Sequence, residues 1–361
     1  MKIVIFGLTI SSSWGNGHAT LWRGLCRALA TLGHRVVFFE RDVPYYANTR
    51  DLHALPGTEL VLYTDWAEVQ ARARAELADA EVGITTSYCP DGIAAAMLLF
   101  DSGRAFPVYY DLDTPVTLAR LAAGEAVPYL PANSLAEFGL VLSYTGAGAL
   151  EALRGRLGAR RVAPLYGHAD PDVHRPVAPV DRYRADLAYL GTYAADRQQR
   201  LEALLVTPAA RRPDRRFLIG GAQYPESFPW TPNIYFVRHL PPPEHPQFHS
   251  SARLSLSVTR RDMAEMGWCP SGRLFEAAAC GAAILSDWWG GLDEFFTPGT
   301  EILVARSTED VLAALDRDDA ELARIAAAGR ERFLAEHTSL HRAGELVAEI
   351  EAALSASPAP V

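Results

Sequence analysis

Short apolar runs alternate with longer stretches of helical period along the first 165 residues. The runs at 2–7, 35–39, 59–64, 81–86, 106–110, 139–143 and 160–165 read as strands, and the stretches 18–32, 66–79, 91–101 and 145–157 read as helices. In runs such as 2–6 and 35–39 the apolar residues are consecutive, the pattern of parallel strands covered on both faces. Strands alternating with helices of this length predict a doubly wound α/β domain. Gly33, just past the first helix, suits the left-handed residue that ends one.

The alternation stops at Tyr166-Gly-His-Ala-Asp-Pro-Asp-Val-His-Arg-Pro and the Val-Ala-Pro-Val-Asp that follows it. Three prolines within a dozen residues predict a linker over 166–180. Alternation then restarts, with strands near 187–191, 215–220, 233–237, 252–258, 282–286 and 301–305. Helices are expected at 196–205, 243–250, 307–316 and 318–335, and a last one over 339–354 carries Leu340, Leu346, Ile350 and Leu354 on one stripe. The expected domains are 1–165 and 181–337, with 338–361 a terminal helix and tail.

Composition narrows the function. The chain has 361 residues, 49% of them hydrophobic and 21% charged, enough for two buried cores. A formal net charge of −9 argues against a nucleic-acid or anionic-membrane surface. Lys2 is the only lysine, so an abundance of arginine carries no information by itself. Cys26, Cys89, Cys269 and Cys280 have no paired spacing and read as reduced thiols of a cytoplasmic protein. No apolar run reaches the ~20 residues of a membrane span, and the opening residues are too short for a signal-peptide core.

The most informative stretch is Cys269-Pro-Ser-Gly-Arg-Leu-Phe-Glu-Ala-Ala-Ala-Cys-Gly. Ser271 is placed to cap a short helix over 272–280, Gly281 ends it, and 282–286 returns as a buried strand. Such a helix start, with Ser271 and Gly272, aims free backbone N–H groups and a positive dipole end at an anion. Arg273 adds a fork of donors suited to phosphate, and Glu276, one turn on, can accept from two ribose hydroxyls. Together these residues look like a cradle for a nucleoside diphosphate.

The same run, continuing through Ala-Ala-Ile-Leu-Ser-Asp and Gly-Leu-Asp-Glu-Phe-Phe-Thr-Pro-Gly-Thr-Glu-Ile-Leu-Val, resembles the C-terminal domain of two-domain GT-B glycosyltransferases. Arg-Leu-Phe-Glu-Ala-Ala and Glu-Phe-Phe are similar to the CgeB-like, spore-maturation-type branch, and the linker at 166–180 resembles the GT-B interdomain linker. The resemblance covers essentially the whole chain. It implies two Rossmann-like domains facing a central cleft, the first for an acceptor and the second for an NDP-sugar, UDP-sugar by preference. It also implies a last helix that crosses back to the first domain, a leaving diphosphate neutralised by helix dipole and cations without a metal cofactor, and retention at the sugar carbon. One departure stands out. Many retaining members carry a second Glu eight positions before the helix Glu, and here that position is Trp268.

Other candidates lie at strand ends, where ligands of open α/β sheets bind. Gly15, Asn16 and Gly17 form a loop after the first strand that permits close backbone approach, and His18 behind it is a candidate base or sugar-hydroxyl partner. Asp111-x-Asp113 imitates the metal-binding Asp-x-Asp of the other glycosyltransferase fold. Asp-x-Asp-Thr-Pro also resembles a CgeB-like motif, which makes Asp113 a candidate general base or acceptor anchor; a plain helix cap at Asp113 is the alternative. In the second half Gly191, Tyr193 and Arg197 follow one strand, Arg260 another, and His239 a third near the expected nucleotide base. His168, Asp170, Asp172 and His174 look metal-like on paper, but their proline-rich setting favours hydrogen bonding. The acceptor is expected among small molecules, glycans or proteins, and a second copy of the chain in a homodimer is the other candidate partner. An NDP-sugar epimerase or hydrolase, or a non-catalytic spore-coat or surface-assembly protein of the same fold, remains the alternative.

Overall fold

The computed structural model describes residues 1–131 and 135–356. The chain divides into two compact units, one of residues 1–166 with the chain from 339 onward, the other of residues 167–338. Each unit holds one parallel sheet among the described residues. In the first, β1 (Lys2–Gly7), β2 (Arg35–Arg41), β3 (Thr58–Tyr63), β4 (Val82–Thr86), β5 (Phe106–Asp111), β6 (Leu140–Ser143) and β7 (Val162–Pro164) lie in the order 3-2-1-4-5-6-7. The second places β8 (Ala185–Leu190), β9 (Phe217–Gly221), β10 (Ile234–Arg238), β11 (Ala252–Ser257), β12 (Ala283–Asp287) and β13 (Leu303–Ala305) in the order 10-9-8-11-12-13. Every pairing is parallel. This is the doubly wound α/β architecture that the alternation predicts, present twice.

Central strands are closed on both faces. Residues 3–6 of β1 and 36–39 of β2 are all 0% exposed, so their apolar positions are consecutive rather than alternate. The order of each sheet reverses once, between β1 and β4 in the first and between β8 and β11 in the second. A crevice opens at such a reversal, and the loops that leave the carboxyl ends of those strands border it.

Most elements differ from the sequence reading by one to three residues at their ends. The stretch expected as a helix over 196–205 is more broken. It begins as a 3₁₀ turn (Ala195–Arg197), becomes α-helical (Gln198–Leu201), widens to a π turn (Glu202–Val206) and resumes as Thr207–Arg211. Pro208 explains the widening. It has no N–H to give the carbonyl four residues back, and its ring would strike that carbonyl in a regular helix. The helix Thr114–Ala122 was expected only in the alternative reading of Asp113 as its cap. Asp113 does occupy the N-cap position, but its side chain makes no capping hydrogen bond.

The last helix, Ser339–Ala356, packs on the helix His18–Thr31 within the first unit. Its buried stripe is Ala343, Leu346, Ile350 and Ala353, while Leu340 is 48% and Leu354 39% exposed. The expected stripe therefore holds at Leu346 and Ile350 and fails at Leu340 and Leu354, because two alanines carry the close approach. All four cysteines are free and buried, and burial pushes the Cys26 and Cys89 thiols up to about 12. No helix of the described residues is long and apolar enough to cross a membrane.

The stripe generates a first prediction. Ile350→Ala, which opens a cavity at a position 0% exposed, should destabilise the protein by about 2–4 kcal/mol, and Leu340→Ala by less than about 0.5 kcal/mol. Denaturant unfolding of both variants checks this, and equal losses would mean that the helix is seated on another face.

Candidate functional site

In the first unit the loop after β1 is pinned from below by Glu40, a residue near the end of β2 that is 0% exposed. Its Oε1 accepts from Thr9 Oγ1 at 2.7 Å and Ser11 Oγ at 2.5 Å, and its Oε2 accepts from the backbone N–H of Ile10 at 2.8 Å and of Ser11 at 3.0 Å. Four donors on one buried carboxylate are charge-assisted bonds, stronger than neutral ones and expensive to break. Arg23 and Asp51 hold the same loop from the side. Arg23 Nε donates to the Ile10 carbonyl at 2.8 Å, its guanidinium forks onto Asp51, and Asp51 in turn accepts from Ser13 N and Ser13 Oγ at 3.0 and 2.6 Å. Burial works to raise the Asp51 pKa, but Arg23 and Ser13 outweigh it and hold the carboxyl below its usual range.

This bracing fixes where the next helix begins. Gly15 has φ 59°, a left-handed conformation that glycine adopts freely, and Asn16 Oδ1 accepts from the His18 backbone N–H at 3.0 Å. His18 then faces Asp113, with Nε2 3.6 Å from Asp113 Oδ2 and both side chains 16% exposed. Two residues 95 positions apart, each singled out as a candidate base, are neighbours. Tyr88, which follows β4 with φ 64°, completes the group: its ring lies 5.6 Å from that of His18, and burial, then the Asp113 charge, pushes its phenol up. Asp111 does not join Asp113 as a second open ligand. It is 0% exposed, and its Oδ1 accepts from Asp113 N at 3.1 Å and Thr117 Oγ1 at 3.2 Å, forming the turn itself. Burial pushes the Asp111 carboxyl up to about 6.

In the second unit Ser271 caps the helix Gly272–Ala279 as expected, its Oγ accepting from Arg273 N at 3.3 Å. Gly281 follows with φ 69° and ends the helix. Glu276 is 2% exposed and turned inward: Arg273 Nη1 meets its Oε2 at 2.5 Å and His245 Nδ1 lies 3.3 Å from the same oxygen. Burial works to raise its pKa, yet Arg273 and His245 outweigh that and hold the carboxyl well below its ordinary range.

The loops that leave β8 and β11 are tied together. Arg260 Nε lies 2.9 Å from Asp196 Oδ2, and Arg197 Nη1 donates to the Thr192 carbonyl at 3.2 Å while its buried Nε has no hydrogen-bond partner. Gly191 is required sterically, since a Cβ there would stand 2.5 Å from the Tyr189 hydroxyl. Tyr193 N donates to the Ala222 carbonyl, and its ring packs against Tyr224 and Phe228. His239 stands just past β10 with φ 50°, its N–H given to the Gly221 carbonyl at 2.7 Å. Trp268 has φ 45° and lies over Gly291, at which any Cβ would strike its ring.

Glu40, Asp287 and Thr259 escaped the sequence reading. Asp287 ends β12, and its Oδ1 accepts from Thr259 N at 3.1 Å and Thr259 Oγ1 at 2.9 Å, fixing the loop that leads to Arg260. A lone acid after an all-apolar run, as in Val-Val-Phe-Phe-Glu or Ala-Ile-Leu-Ser-Asp, was the available signal.

Comparison with known proteins bears on the fold. The family model described as "Glycosyl transferase-like" matches residues 197–348, which include Arg197, Arg260 and the Ser271–Glu276 helix start. Among solved structures, sucrose-phosphate synthase from Thermosynechococcus elongatus superposes with TM-score 0.70 at 16% identity, over 99% of this chain and 100% of that one. HepE of Anabaena, in complex with UDP and glucose, gives TM-score 0.70 at 14% identity over 98% and 100% of the two chains. An alpha-glucosyltransferase in complex with UDP-glucose and DNA gives 0.72 at 13% over 97% and 99%. No curated protein is matched by the sequence. The chain thus has the GT-B fold of glycosyltransferases, with a glycosyl transferase-like segment over residues 197–348.

The buried Asp287 gives a prediction about pH. Burial pushes its carboxyl up to about 6, against an ordinary value of 3.8. The fold therefore holds this proton more tightly than the unfolded chain does, and the stability it brings is full below about pH 4 and lost as pH rises through about 6. Asp287→Asn keeps the Oδ1 acceptor but cannot ionise, so the fall in melting temperature between pH 4 and 7 should be smaller in the variant. Parallel slopes over that range would show that Asp287 does not titrate there.

Proposed function

We propose that the protein is a glycosyltransferase that takes a nucleoside diphosphate sugar, UDP-sugar by preference, in its second unit and an acceptor in its first. The capped helix start at Ser271–Arg273 carries the reading. Its free backbone N–H groups and dipole suit the diphosphate, and Arg273 is held beside them by Glu276 rather than left to wander. Arg197 and Arg260, at the reversal point of the same sheet, supply further positive charge for the departing diphosphate. In this reading fixed protein donors take the leaving-group charge and no metal ion bridges the phosphates. UDP or UDP-glucose in the structural neighbours supports uridine as the base, and the Arg-Leu-Phe-Glu-Ala-Ala run supports the CgeB-like branch.

For the acceptor, His18 and Asp113 form the proton-handling pair. A hydroxyl that attacks the sugar carbon must lose its proton, and His18 takes it most readily because the imidazolium it becomes stands 3.6 Å from a carboxylate. Glu40, Arg23 and Asp51 keep the preceding loop, and so His18, in place.

Two experiments test this. UDP should raise the melting temperature with or without EDTA, by about 2.7 kcal/mol of added stability at a hundredfold excess over its dissociation constant. GDP, ADP, CDP and dTDP in the same panel name the base; no shift with any of them would favour the non-catalytic alternative. Arg273→Ala should weaken UDP roughly ten- to a hundredfold, whereas His18→Asn and Asp113→Asn should leave UDP affinity unchanged and lower turnover by about 10²–10⁴. Normal turnover in the His18 variant would remove it from the chemistry, and the anomeric form of the product, read by proton NMR, fixes retention or inversion.

A further inference from the structure

Behind the Ser271 helix start lies a polar cluster that nucleotide binding does not account for. His174, His245 and Glu276 come from three separate segments: the stretch that opens the second unit, the helix His245–Ser251 and the helix Gly272–Ala279. All three are buried, at 1%, 2% and 2% exposure. Each presents one ligand atom, and these atoms lie within 4.8 Å of one another.

The hydrogen bonding of the two imidazoles does not close. His245 Nε2 meets the Leu240 carbonyl at 3.2 Å, and a carbonyl only accepts, so this nitrogen carries the proton. With that proton alone, the lone pair of Nδ1 would face Glu276 Oε2 at 3.3 Å, acceptor against acceptor. His174 is a stronger anomaly, because neither of its ring nitrogens has any hydrogen-bond partner. Its ring centroid lies 5.8 Å from that of His245. A proton on His245 Nδ1 would satisfy the Glu276 side of the cluster but would leave both His174 nitrogens unpaired. A cation that accepts one lone pair from each of the three residues removes the clash at Glu276 and gives one of the two His174 nitrogens a partner.

We propose that His174, His245 and Glu276 form a binding site for a divalent transition-metal ion of the zinc class. Two imidazoles and one carboxylate are a donor set for such ions, rather than for Mg²⁺ or Ca²⁺, which prefer oxygen ligands. The 3.3 Å between His245 Nδ1 and Glu276 Oε2 is close to the ~3.4 Å that separates two ligands bound at 2.0–2.1 Å to one tetrahedral ion. The contact of His245 Nε2 with the Leu240 carbonyl is the outer-shell bond that metal-bound histidines commonly make, fixing the tautomer that leaves Nδ1 free. Two further groups face the cluster. Arg273 shares Oε2 of Glu276, and His249 holds Ser255 Oγ through Nδ1 while its own Nε2 is buried without a partner. The ion would cross-link three segments behind the helix start and leave that helix's N-terminus free. It is distinct from a metal bridging the phosphates, and it stands whether or not UDP is the ligand.

Full-length protein stripped with a chelator and dialysed is the starting material, with Co²⁺ and Zn²⁺ as probes. Co²⁺ should bind one per chain and develop the visible ligand-field bands of a tetrahedral ion, and one equivalent of Zn²⁺ should displace it and raise the melting temperature. His174→Phe replaces an unpaired buried imidazole by an apolar ring of similar size, so that variant should fold, and it should lose both the bands and the zinc-dependent shift. His245→Gln should do the same. Folded wild-type protein that takes up no stoichiometric metal would overturn the proposal. So would bands or a thermal shift that persist in His174→Phe, since the metal would then sit on surface histidines. A UDP-induced shift that survives in stripped protein separates this result from the fate of the nucleotide reading.

Discussion

A parallel strand covered on both faces has no side turned to water, so polar side chains gather where the strand ends. The rest of this molecule follows from that constraint. Each sheet reverses its order once, and in each the loop that leaves a strand at the reversal is held by a buried carboxylate on the neighbouring strand. Glu40 of β2 holds residues 9–11 after β1, and Asp287 of β12 holds Thr259 after β11. The same solution appears twice in two unrelated stretches of sequence. Its physical basis is plain: a carboxylate at the end of a dry strand must find donors, and the adjacent loop's N–H and hydroxyl groups are the ones within reach.

The price of burying such an acid depends on how many donors it finds. Glu40 collects four, two from backbone and two from hydroxyl groups. Asp287 collects two, both from Thr259 on one oxygen, and its other oxygen is buried without a partner. The carboxyl of Asp287 is correspondingly pushed up, chiefly by burial. Glu276 is a third solution, with a guanidinium and an imidazole in place of neutral donors, and its carboxyl is driven down instead. Burial pushes a carboxyl up unless, as at Glu276, cationic partners outweigh it.

How much of this could be read from the chain follows the range of the interactions. The parallel sheets were legible because consecutive apolar residues report burial on two faces locally. Ser271 was legible because a cap, a helix and its stop lie within a dozen residues. The neighbourhood of His18 and Asp113 was not, since it depends on β1 and β5 being separated only by β4 in a sheet whose order no local pattern states. Glu276 was legible as a residue of consequence but not in its orientation, because His245 approaches it from a helix that the sequence leaves unconnected to it. The broken helix after β8 shows the opposite case. Pro208 was in plain view, but its effect falls on the turn before it, where helical period alone suggests nothing unusual.

Backbone strain gathers at the same edges. Among the described residues five without glycine's freedom have positive φ: Tyr88, Ala147, Gln223, His239 and Trp268. Each costs on the order of 1–2 kcal/mol relative to an ordinary conformation, a large share of the net stability of a domain. Tyr88, Gln223 and His239 stand one or two residues beyond the ends of β4, β9 and β10, and Ala147 four beyond β6. A fold that needed only to connect strand to helix would place glycine at such positions, as this one does at Gly291 between β12 and the helix Leu292–Phe295. Side chains held in strained conformations at the carboxyl edges of both sheets are kept for what they present there. For Tyr88 that is a phenol turned on Asp113 and a ring beside His18. For Trp268 it is an indole laid over Gly291, a contact that only a glycine can accept and that gives the position a packing role. The strain and the buried carboxylates are therefore two expressions of one arrangement, in which the loops at the strand ends are held rigid by the sheets beneath them.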